Sequence, residues 1–152
     1  MQRLATAGRQ HGLRVSGLLS PAGRQQGVIW LEDLTDRQRR LLAHVAPPAE
    51  ADFGRWRFLP ATLAWGNARL NAICDTDLLL VDEIGPLELR RRQGLTASLE
   101  VVRTAAYRLA VVAVRPALAT MLADALSVRS PTILPLTPYN RNALLATLLA
   151  AA

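Results

Sequence analysis

Two adjacent carboxylates, Asp82 and Glu83, follow a short apolar run at residues 78–81. Such a run indicates a buried parallel strand, which would carry both acids to the sheet edge where ligands bind. At that edge Asp82 can hold a hydrated Mg²⁺ ion, and Glu83 can orient or deprotonate an attacking water. The alternatives are an ordinary acid at a strand end for Asp82 and an ion-pair partner for Glu83. The pair as a whole favours chemistry on phosphates.

The basic residues do not supply the phosphate-binding part of such a site. All 18 of them are arginine, and the chain contains no lysine. A phosphate-binding loop of the form G-x-x-x-x-G-K-S/T needs its lysine to contact the outer phosphates, so no segment of this sequence can form one. The acidic half of a nucleotide-hydrolysing site is therefore present without its phosphate-binding half.

Arg115 is the third candidate for the same chemistry, because it directly follows another apolar run at residues 109–114. The carboxyl ends of parallel strands meet at one edge of a sheet, so we expect Arg115 near the two acids. There it could stabilise charge on a transferring phosphoryl group. A solvated arginine before a helix is the alternative interpretation.

Composition limits the class of protein. A chain of 152 residues, 51% hydrophobic and 20% charged, predicts one soluble globular domain spanning 1–152. The formal charge of +6 favours anionic partners such as nucleotides, although arginines scattered over solvated faces explain it more simply.

Cys74 is the sole cysteine, which fits a reducing cytoplasm. No apolar run reaches the ~18 residues that span a membrane, and residues 1–5 lack the apolar core of a secretory signal.

Two groups of side chains have a plain and a functional interpretation. Arginines concentrate at 37–40 and at 90–92, where a solvated face is the simpler interpretation and an anion-binding face the alternative. Trp30, Trp56 and Trp65 could stack on bases, but their spacing does not place them on one surface element. We therefore expect the tryptophans to pack in the core or at an interface.

The pattern of apolar residues predicts an α/β fold. Helices are predicted over 1–11, 60–73, 94–106, 116–126 and 140–150. Strands are predicted over 13–19, 27–32, 78–82, 109–114 and 132–136, with a turn at 20–23. Residues 33–58 show no regular pattern and read as a loop whose aromatic residues pack down. Apolar strands alternating with helices predict a mostly parallel sheet flanked by helices.

Four stretches of the chain, in the same order, resemble the nucleoside-triphosphatase family of P-loop NTPases, typified by a thermophilic NTPase and human cancer-related NTPase. They are RVSGLLSP at 14–21, GVIWLEDL at 27–34, the stretch 77–89 that contains DEIGPLEL, and LTPYNR at 136–141. The third stretch is the specific one, since its acid pair is followed by Ile-Gly-Pro-Leu-Glu-Leu. The resemblance covers most of the chain.

The resemblance implies Mg²⁺-dependent hydrolysis of a nucleoside triphosphate, such as ATP or GTP, to the diphosphate and phosphate. Asp82 would be the Walker B acid that holds the metal, Glu83 would act on the water, and Arg115 would offset charge. Base selectivity would be low. Asn140 and Arg141 would lie near the nucleotide base, with the Asn140 amide pairing with a ring edge. The alternative for Asn140 is the N-cap of the last helix.

The chain departs from the family at its front. Family members begin with a strand and the glycine-rich Walker A loop, followed by a helix, and residues 1–9 match the second part of that helix. The first strand and the loop are expected to be missing, which would leave unpaired backbone on two neighbouring strands. The expectation is a truncated or internally started chain that is inactive in this form, and the alternative is a degenerate homologue.

Two other functions are open. A basic domain without a phosphate loop could be a non-catalytic module that binds a nucleotide, a nucleic acid or a protein. The acid pair disfavours this, because carboxylates beside an anion site repel phosphates unless a metal is present. A nucleotide-kinase-like transferase would share the fold and the site, but residues 33–58 show no acceptor motif.

Overall fold

The structure, a computed structural model, describes residues 1–21 and 27–152. Its helices are α1 (Gln2–Gln10), α2 (Pro60–Asn71), α3 (Ala97–Thr104), α4 (Ala119–Ala125) and α5 (Arg141–Ala151). Its strands are β1 (Val15–Leu19), β2 (Val28–Asp33), β3 (Arg39–Val45), β4 (Trp56–Phe58), β5 (Leu78–Ile84) and β6 (Leu109–Val114). A π-helical turn at Leu87–Arg91 and 3₁₀ turns at Pro116–Leu118 and Ser127–Arg129 complete the described elements. The turn predicted at 20–23 lies partly outside the described residues.

The strands form one six-stranded sheet in the order β4-β3-β2-β1-β5-β6. β5 pairs in parallel with β1 on one side and with β6 on the other. The pairs β1–β2, β2–β3 and β3–β4 are antiparallel. The predicted α/β fold is confirmed. The expectation that the sheet is mostly parallel is corrected, because two of the five described strand pairs, β1–β5 and β5–β6, are parallel. Parallel neighbours need a long crossover such as α2 or α3, whereas the shorter connections from β1 to β4 give antiparallel pairs.

Helices cover both faces of the sheet. Along β5, Leu78 and Leu80 pack with α1 and α5 residues on one face, whereas Leu79 and Val81 pack with α2 and α3 residues on the other. These four side chains are at most 2% exposed. Alternate residues of a strand point to opposite faces, so a strand buried on both faces must be apolar throughout. This is why residues 78–81 form an unbroken apolar run.

Gly17 in β1 lies unusually close to β5. Its φ is 122°, a value that strongly favours glycine. A Cβ atom at this position would lie 1.9 Å from the carbonyl oxygen of Leu80. The glycine therefore permits the close pairing that sets β1 beside the strand carrying the acid pair.

The prediction of a loop over 33–58 was wrong for two segments, which form β3 and β4. The sequence of β3, RRLLAHV, alternates poorly between polar and apolar residues, and β4 has only three residues. Neither segment carries a clear local strand signal. Backbone pairing with β2 holds β3 in the sheet, and β3 in turn holds β4.

The strand predicted over 132–136 was also wrong. These residues are exposed and belong to no strand, with Ile133 53% and Leu136 72% exposed. Within the described part of the chain, β6 is the edge of the sheet and has a neighbour on its β5 side only. A strand needs a partner for its backbone N–H and C=O groups, and in the described structure residues 132–136 pair with no strand.

The predicted helix boundaries were less accurate than the helices themselves. The helix expected over 94–106 is α-helical only from Ala97 to Thr104, and the one over 116–126 begins as a 3₁₀ turn. Among the described residues, no helix combines the length and apolar character needed to cross a membrane.

Candidate active site

Asp82 lies near the carboxyl end of β5, directly beside the end of β1. It pairs in register with Leu19, and its carbonyl oxygen accepts a hydrogen bond of 3.2 Å from the N–H of Ser20. Its side chain is half-buried, whereas that of the next residue, Glu83, is 41% exposed. The strand therefore brings two adjacent carboxylates to one sheet edge, as the apolar run predicted. Their different environments are seen in the structure alone.

Burial raises the pKa of the Asp82 carboxyl above its ordinary value, and the neighbouring Glu83 charge raises it further. The positive amino group of Met1 lowers the pKa of Asp82 in part. No hydrogen bond from a described residue contributes to the pKa of this carboxyl. A half-buried carboxylate without such donors is stabilised in its charged form by a nearby cation.

These properties fit the Mg²⁺ ion that the fold family implies. Mg²⁺ is usually held by one or two carboxylates together with waters and substrate phosphates. Asp82 offers one partly dehydrated carboxylate at an open edge. In the described part of the chain, no three His, Cys, Asp or Glu side chains converge to form a metal site built from protein alone. Asp82 is the residue that would hold such an ion, and the Mg²⁺ itself stays a prediction.

Arg115 and Glu83 form an ion pair at this edge. A guanidinium Nη of Arg115 donates to Oε1 of Glu83 at 3.2 Å, and the two side chains are 54% and 41% exposed. The parallel register of β5 and β6, in which Ile84 pairs with Val114, brings the two strand ends side by side. The structure thus places Arg115 next to the acid pair, as the sequence predicted, and its catalytic role stays a prediction.

Glu88 organises the turn that follows the acid pair, a role that the sequence analysis did not find. One carboxylate oxygen accepts a 2.9 Å hydrogen bond from the N–H of Gly85, and the other accepts a 3.0 Å bond from the N–H of Leu95. The side chain therefore joins the end of β5 to the segment before α3. The available signal was the spacing of three residues between Gly85 and Glu88, which resembles a capping box.

A cleft of about 820 Å³ opens beside the acid pair. Asp82, Glu83 and Arg115 line one side of it. Its lining also includes three aromatic residues from the β3–β4 region, Phe53, Trp56 and Phe58. The sequence analysis expected these aromatics to pack down inside a loop, and it could not assign them to the same site as the acids.

Asn140 and Arg141 are not among the residues that line this cleft. Asn140 stands at the N-cap position of α5, but its side chain does not bond forward into the helix. It instead accepts from the N–H of Thr137 at 2.8 Å and donates to the carbonyl oxygen of Pro135 at 2.8 Å. Asn140 therefore stabilises the preceding turn, and the expected contact of Asn140 and Arg141 with a base stays a prediction.

Two arginines of the first basic patch, Arg39 and Arg40, lie over aromatic rings. The guanidinium carbon of Arg40 is 4.6 Å from the centroid of Trp65, and that of Arg39 is 5.7 Å from the centroid of Trp30. Arg39 also lies 3.9 Å from Glu32. Cation–π contacts and ion pairs within the chain use part of these charges, so the patch is a structured, solvated face.

Comparison with known proteins identifies the family. A family model described as NTPase matches residues 1–149. The chain belongs to this NTPase family, which is of the P-loop type. The assignment confirms the resemblance carried by the four sequence stretches.

Two relatives define the range of similarity. The nucleoside-triphosphatase THEP1 of Caldivirga maquilingensis is 26% identical over 106 residues, which are 68% of this chain and 60% of that protein. The chain thus matches about 60% of the length of this curated relative. The crystal structure of THEP1 from the hyperthermophile Aquifex aeolicus has a TM-score of 0.67 at 14% identity, covering 97% of this chain and 90% of that one. At that identity the structural match shows the fold alone.

Proposed function

We propose that this NTPase-family chain carries the metal-binding and water-activating side of a site that hydrolyses a nucleoside triphosphate to the diphosphate and phosphate. The observation that carries the proposal is one sheet edge. There the half-buried Asp82 lies beside the exposed Glu83–Arg115 ion pair, at the ends of two neighbouring parallel strands. Ligands of open α/β sheets bind at this edge.

Each side chain has a distinct task in this proposal. Asp82 would hold a hydrated Mg²⁺, which when bound offsets the negative charge of the phosphates. Glu83 is exposed enough to reach a water, orient its oxygen toward the γ-phosphorus and accept its proton. The oxygen forms the new bond to phosphorus as the bond to the bridging oxygen of the diphosphate breaks.

Arg115 would exchange one anionic partner for another during this reaction. Its ion pair with Glu83 is solvent-exposed, and such pairs contribute only about 0–1 kcal/mol. The guanidinium can therefore leave Glu83 for the phosphoryl oxygens at little cost. Moving Arg115 onto the phosphate would also free the Glu83 carboxylate to act on the water.

The substrate side of the proposal rests on binding through phosphates and metal, which discriminates little between bases. We therefore propose broad base tolerance, with ATP and GTP both accepted. Because the chain has no lysine, the lysine-containing phosphate loop would have to come from residues outside this sequence. The free side of β6 can accept another strand in the described structure. We expect the 152-residue chain alone to be inactive.

A paired assay tests this. The 152-residue chain and a form extended upstream to the preceding in-frame start are compared for Mg²⁺-dependent phosphate release from ATP and GTP. Activity only in the extended form, lost in Asp82→Asn and Glu83→Gln, supports the proposal. Glu100→Gln is the matched control, because Glu100 is an exposed acid on α3 outside the cleft. Two folded but inactive forms, or an upstream region without a Gly-rich Lys-Ser/Thr loop, would reject it.

The absence of lysine favours a second candidate, a non-catalytic binding module for a nucleotide, a nucleic acid or a protein. Binding of nucleic acid by arginines should weaken steeply as salt is raised. Binding of Mg²⁺-nucleotide should instead disappear in Asp82→Asn. Binding to the 152-residue chain that is sensitive to salt but unaffected by Asp82→Asn would favour the module over the enzyme.

A further inference from the structure

The candidate active-site cleft reaches from the acid pair to the opposite margin of the sheet. Asp82 on β5 and Trp56 on β4 both line it. The strands β3, β2 and β1 lie between them in the sheet order, so in a regular sheet the axes of β4 and β5 are roughly 19 Å apart at about 4.8 Å per strand spacing. A cleft of this reach suits an elongated ligand. With its phosphates at Asp82 and Arg115, the rest of a nucleoside triphosphate would extend toward β4.

A contact between two connecting segments encloses this cleft. Arg91 belongs to the π-helical turn behind the acid pair, and its guanidinium carbon lies 5.2 Å from the centroid of Phe53. Glu88 fixes the same turn through its hydrogen bonds from the N–H groups of Gly85 and Leu95. The cation–π contact therefore joins the turn after β5 to the segment before β4. It holds the aromatic end of the cleft in a defined position relative to the acid pair.

Of the three aromatic residues in the cleft, Trp56 is the one left for a ligand. Phe58 packs against the core cluster on the α2–α3 face, and Phe53 lies under Arg91. Trp56 is half-buried and belongs to neither core cluster of the described residues. The guanidinium carbon of Arg55 lies 5.0 Å from the centroid of its ring. A ring that is held by a cation and still partly accessible is a preformed stacking surface.

The surroundings of Trp56 offer few groups that read the edge of a base. Among the described lining residues between 28 and 58, the polar side-chain groups are the indole N–H of Trp56 and the guanidinium of Arg55, which already contacts the ring. The other side chains there are apolar, namely Val28, Ile29, Leu42, Phe53 and Phe58. Stacking on an aromatic ring tolerates any base, because every base has a π-face. This end of the cleft therefore suits adenine and guanine alike.

We infer that Trp56 is the stacking platform for the base of the substrate, which positions the nucleoside triphosphate with its phosphates at the acid pair and makes the site tolerant of the base. The inference rests on the proposed function, because it assigns the base end of the same substrate. It differs from the contact that the resemblance implies for Asn140 and Arg141, neither of which lines the cleft. Trp56 binds the base and takes no part in the bond changes.

A comparison of nucleotides with a base-free analogue tests this inference. Mg²⁺-ATP, Mg²⁺-GTP and Mg²⁺-tripolyphosphate are titrated by calorimetry into the 152-residue chain and into the extended form, both carrying Glu83→Gln to prevent turnover. Tripolyphosphate has the phosphates of the nucleotide without the base. We expect the extended form to bind ATP and GTP with similar affinities.

Trp56→Leu keeps apolar bulk but removes the aromatic ring. It should weaken the binding of ATP and of GTP about tenfold, as expected for a lost stacking partner, and leave the binding of tripolyphosphate unchanged. Trp56→Phe keeps a ring and should retain most of the nucleotide affinity. If Trp56→Leu does not fold, Trp56→Thr replaces it, because threonine suits a strand.

Arg57→Gln is the matched control. Arg57 follows Trp56 on β4, donates a 2.8 Å hydrogen bond to Glu50 and is not among the residues that line the cleft. Alternate residues of a strand face opposite sides, so this change affects the same strand on its other face. We expect it to leave the affinity for ATP, GTP and tripolyphosphate unchanged.

Full affinity for ATP in a folded Trp56→Leu variant would overturn the inference. Equal losses for ATP and tripolyphosphate would do the same, because they would show general damage to the site and not the loss of a base contact. A loss confined to the nucleotides in Asn140→Ala, without one in Trp56→Leu, would place the base at α5 instead. Binding of no nucleotide by either form would also overturn it.

The outcomes separate this inference from the hydrolase proposal. In an extended form that retains Glu83, Trp56→Leu should raise the KM for ATP about tenfold and leave kcat nearly unchanged. If that form releases phosphate but Trp56→Leu keeps the affinity of the wild type, the stacking platform is rejected and the hydrolase proposal stands. If Trp56→Leu loses nucleotide affinity alone but the extended form releases no phosphate, the hydrolase proposal fails and the stacking platform stands.

Discussion

The guanidinium of Arg115 lies 3.2 Å from the carboxylate of Glu83, across the ends of two neighbouring parallel strands. The two residues are 32 positions apart in the chain. The crossover through α3 returns the chain so that β6 runs parallel to β5, and the register then sets the two side chains opposite each other. The fold positions this ion pair, and its exposure keeps it weak. A pair of this kind can separate when a phosphate binds to the arginine.

Arg115→Gln tests whether this arginine acts on the reaction or only on the fold. Because the ion pair is exposed, we expect the change to leave the melting temperature nearly unaffected. Phosphate release by the extended form should fall at least about tenfold, and more if the arginine stabilises the transition state fully. Steady-state kinetics on ATP and thermal melts measure both. Arg115→Lys is the conservative variant, which keeps the positive charge but lacks the planar guanidinium. Unchanged turnover in Arg115→Gln would show that Arg115 takes no part in the mechanism.

Asp82→Asn should make the protein more stable at neutral pH. Burial and Glu83 raise the folded-state pKa of Asp82 above its ordinary value of 3.8, while the Met1 amino group only partly opposes this. An acid of this kind costs stability when charged, and the cost is lost as the pH falls through the folded-state pKa. We expect the variant to melt above the wild type at pH 7, with the gain disappearing as the pH falls toward the ordinary carboxyl value of 3.8.

Melting curves between pH 4 and 8 check this sign. Asp124→Asn changes an exposed acid on α4 and should show no such pH-dependent gain. A lower melting temperature for Asp82→Asn at pH 7 would mean that donors or a cation stabilise the carboxylate in the folded protein.

Glu88→Ala should destabilise the turn behind the acid pair. Both carboxylate oxygens accept backbone hydrogen bonds, from Gly85 and from Leu95. Removing the side chain leaves two N–H groups without partners, and each loss of this kind costs about 1–3 kcal/mol where the groups are buried. Glu88→Gln keeps one accepting oxygen and should lose less. Urea denaturation measures the difference, with Glu100→Ala as the control, and an effect below about 0.5 kcal/mol would contradict the role.

Gly17→Ala should be among the most damaging changes of a single methyl group. The added Cβ would meet the backbone carbonyl of Leu80 at 1.9 Å, and the φ of 122° adds backbone strain. We expect the free energy of unfolding to fall by more than the ~1–3 kcal/mol typical of overpacking, because the backbone cannot move aside as a side chain can. Gly12→Ala is the matched control, since Gly12 also has a positive φ, of 76°, but nothing lies within 4 Å of its Cβ position. Equal losses of stability in the two variants would show that backbone strain at a positive φ, and not the contact with Leu80, causes the loss.

Local sequence patterns predicted the elements that bury an unbroken apolar stretch. The strand predicted over 109–114 matches β6, and the run at 78–81 lies inside β5. Both are buried or half-buried along their length, so their apolar character is required at every residue and can be read without knowing the neighbours.

The failures involve segments whose state depends on a partner. β3 and β4 have weak strand patterns but pair with a strand already in place. Residues 132–136 have a stronger apolar pattern but no strand beside them in the described part of the chain. A segment forms a strand only when its backbone pairs with a neighbouring strand, so its own apolar pattern does not decide its state.

The sequence by itself determined the chemistry that this protein can offer: an acid pair after a buried strand, an arginine after a second one, and no lysine for a phosphate loop. It also carried the four stretches that mark the family. Only the tertiary structure decided that Arg115 meets Glu83, that Glu88 clamps the turn behind them, and that Trp56 and Phe58 complete a cleft with the acids. These relationships arise from strand order and register, which depend on pairing between distant segments and so leave no local pattern in the chain.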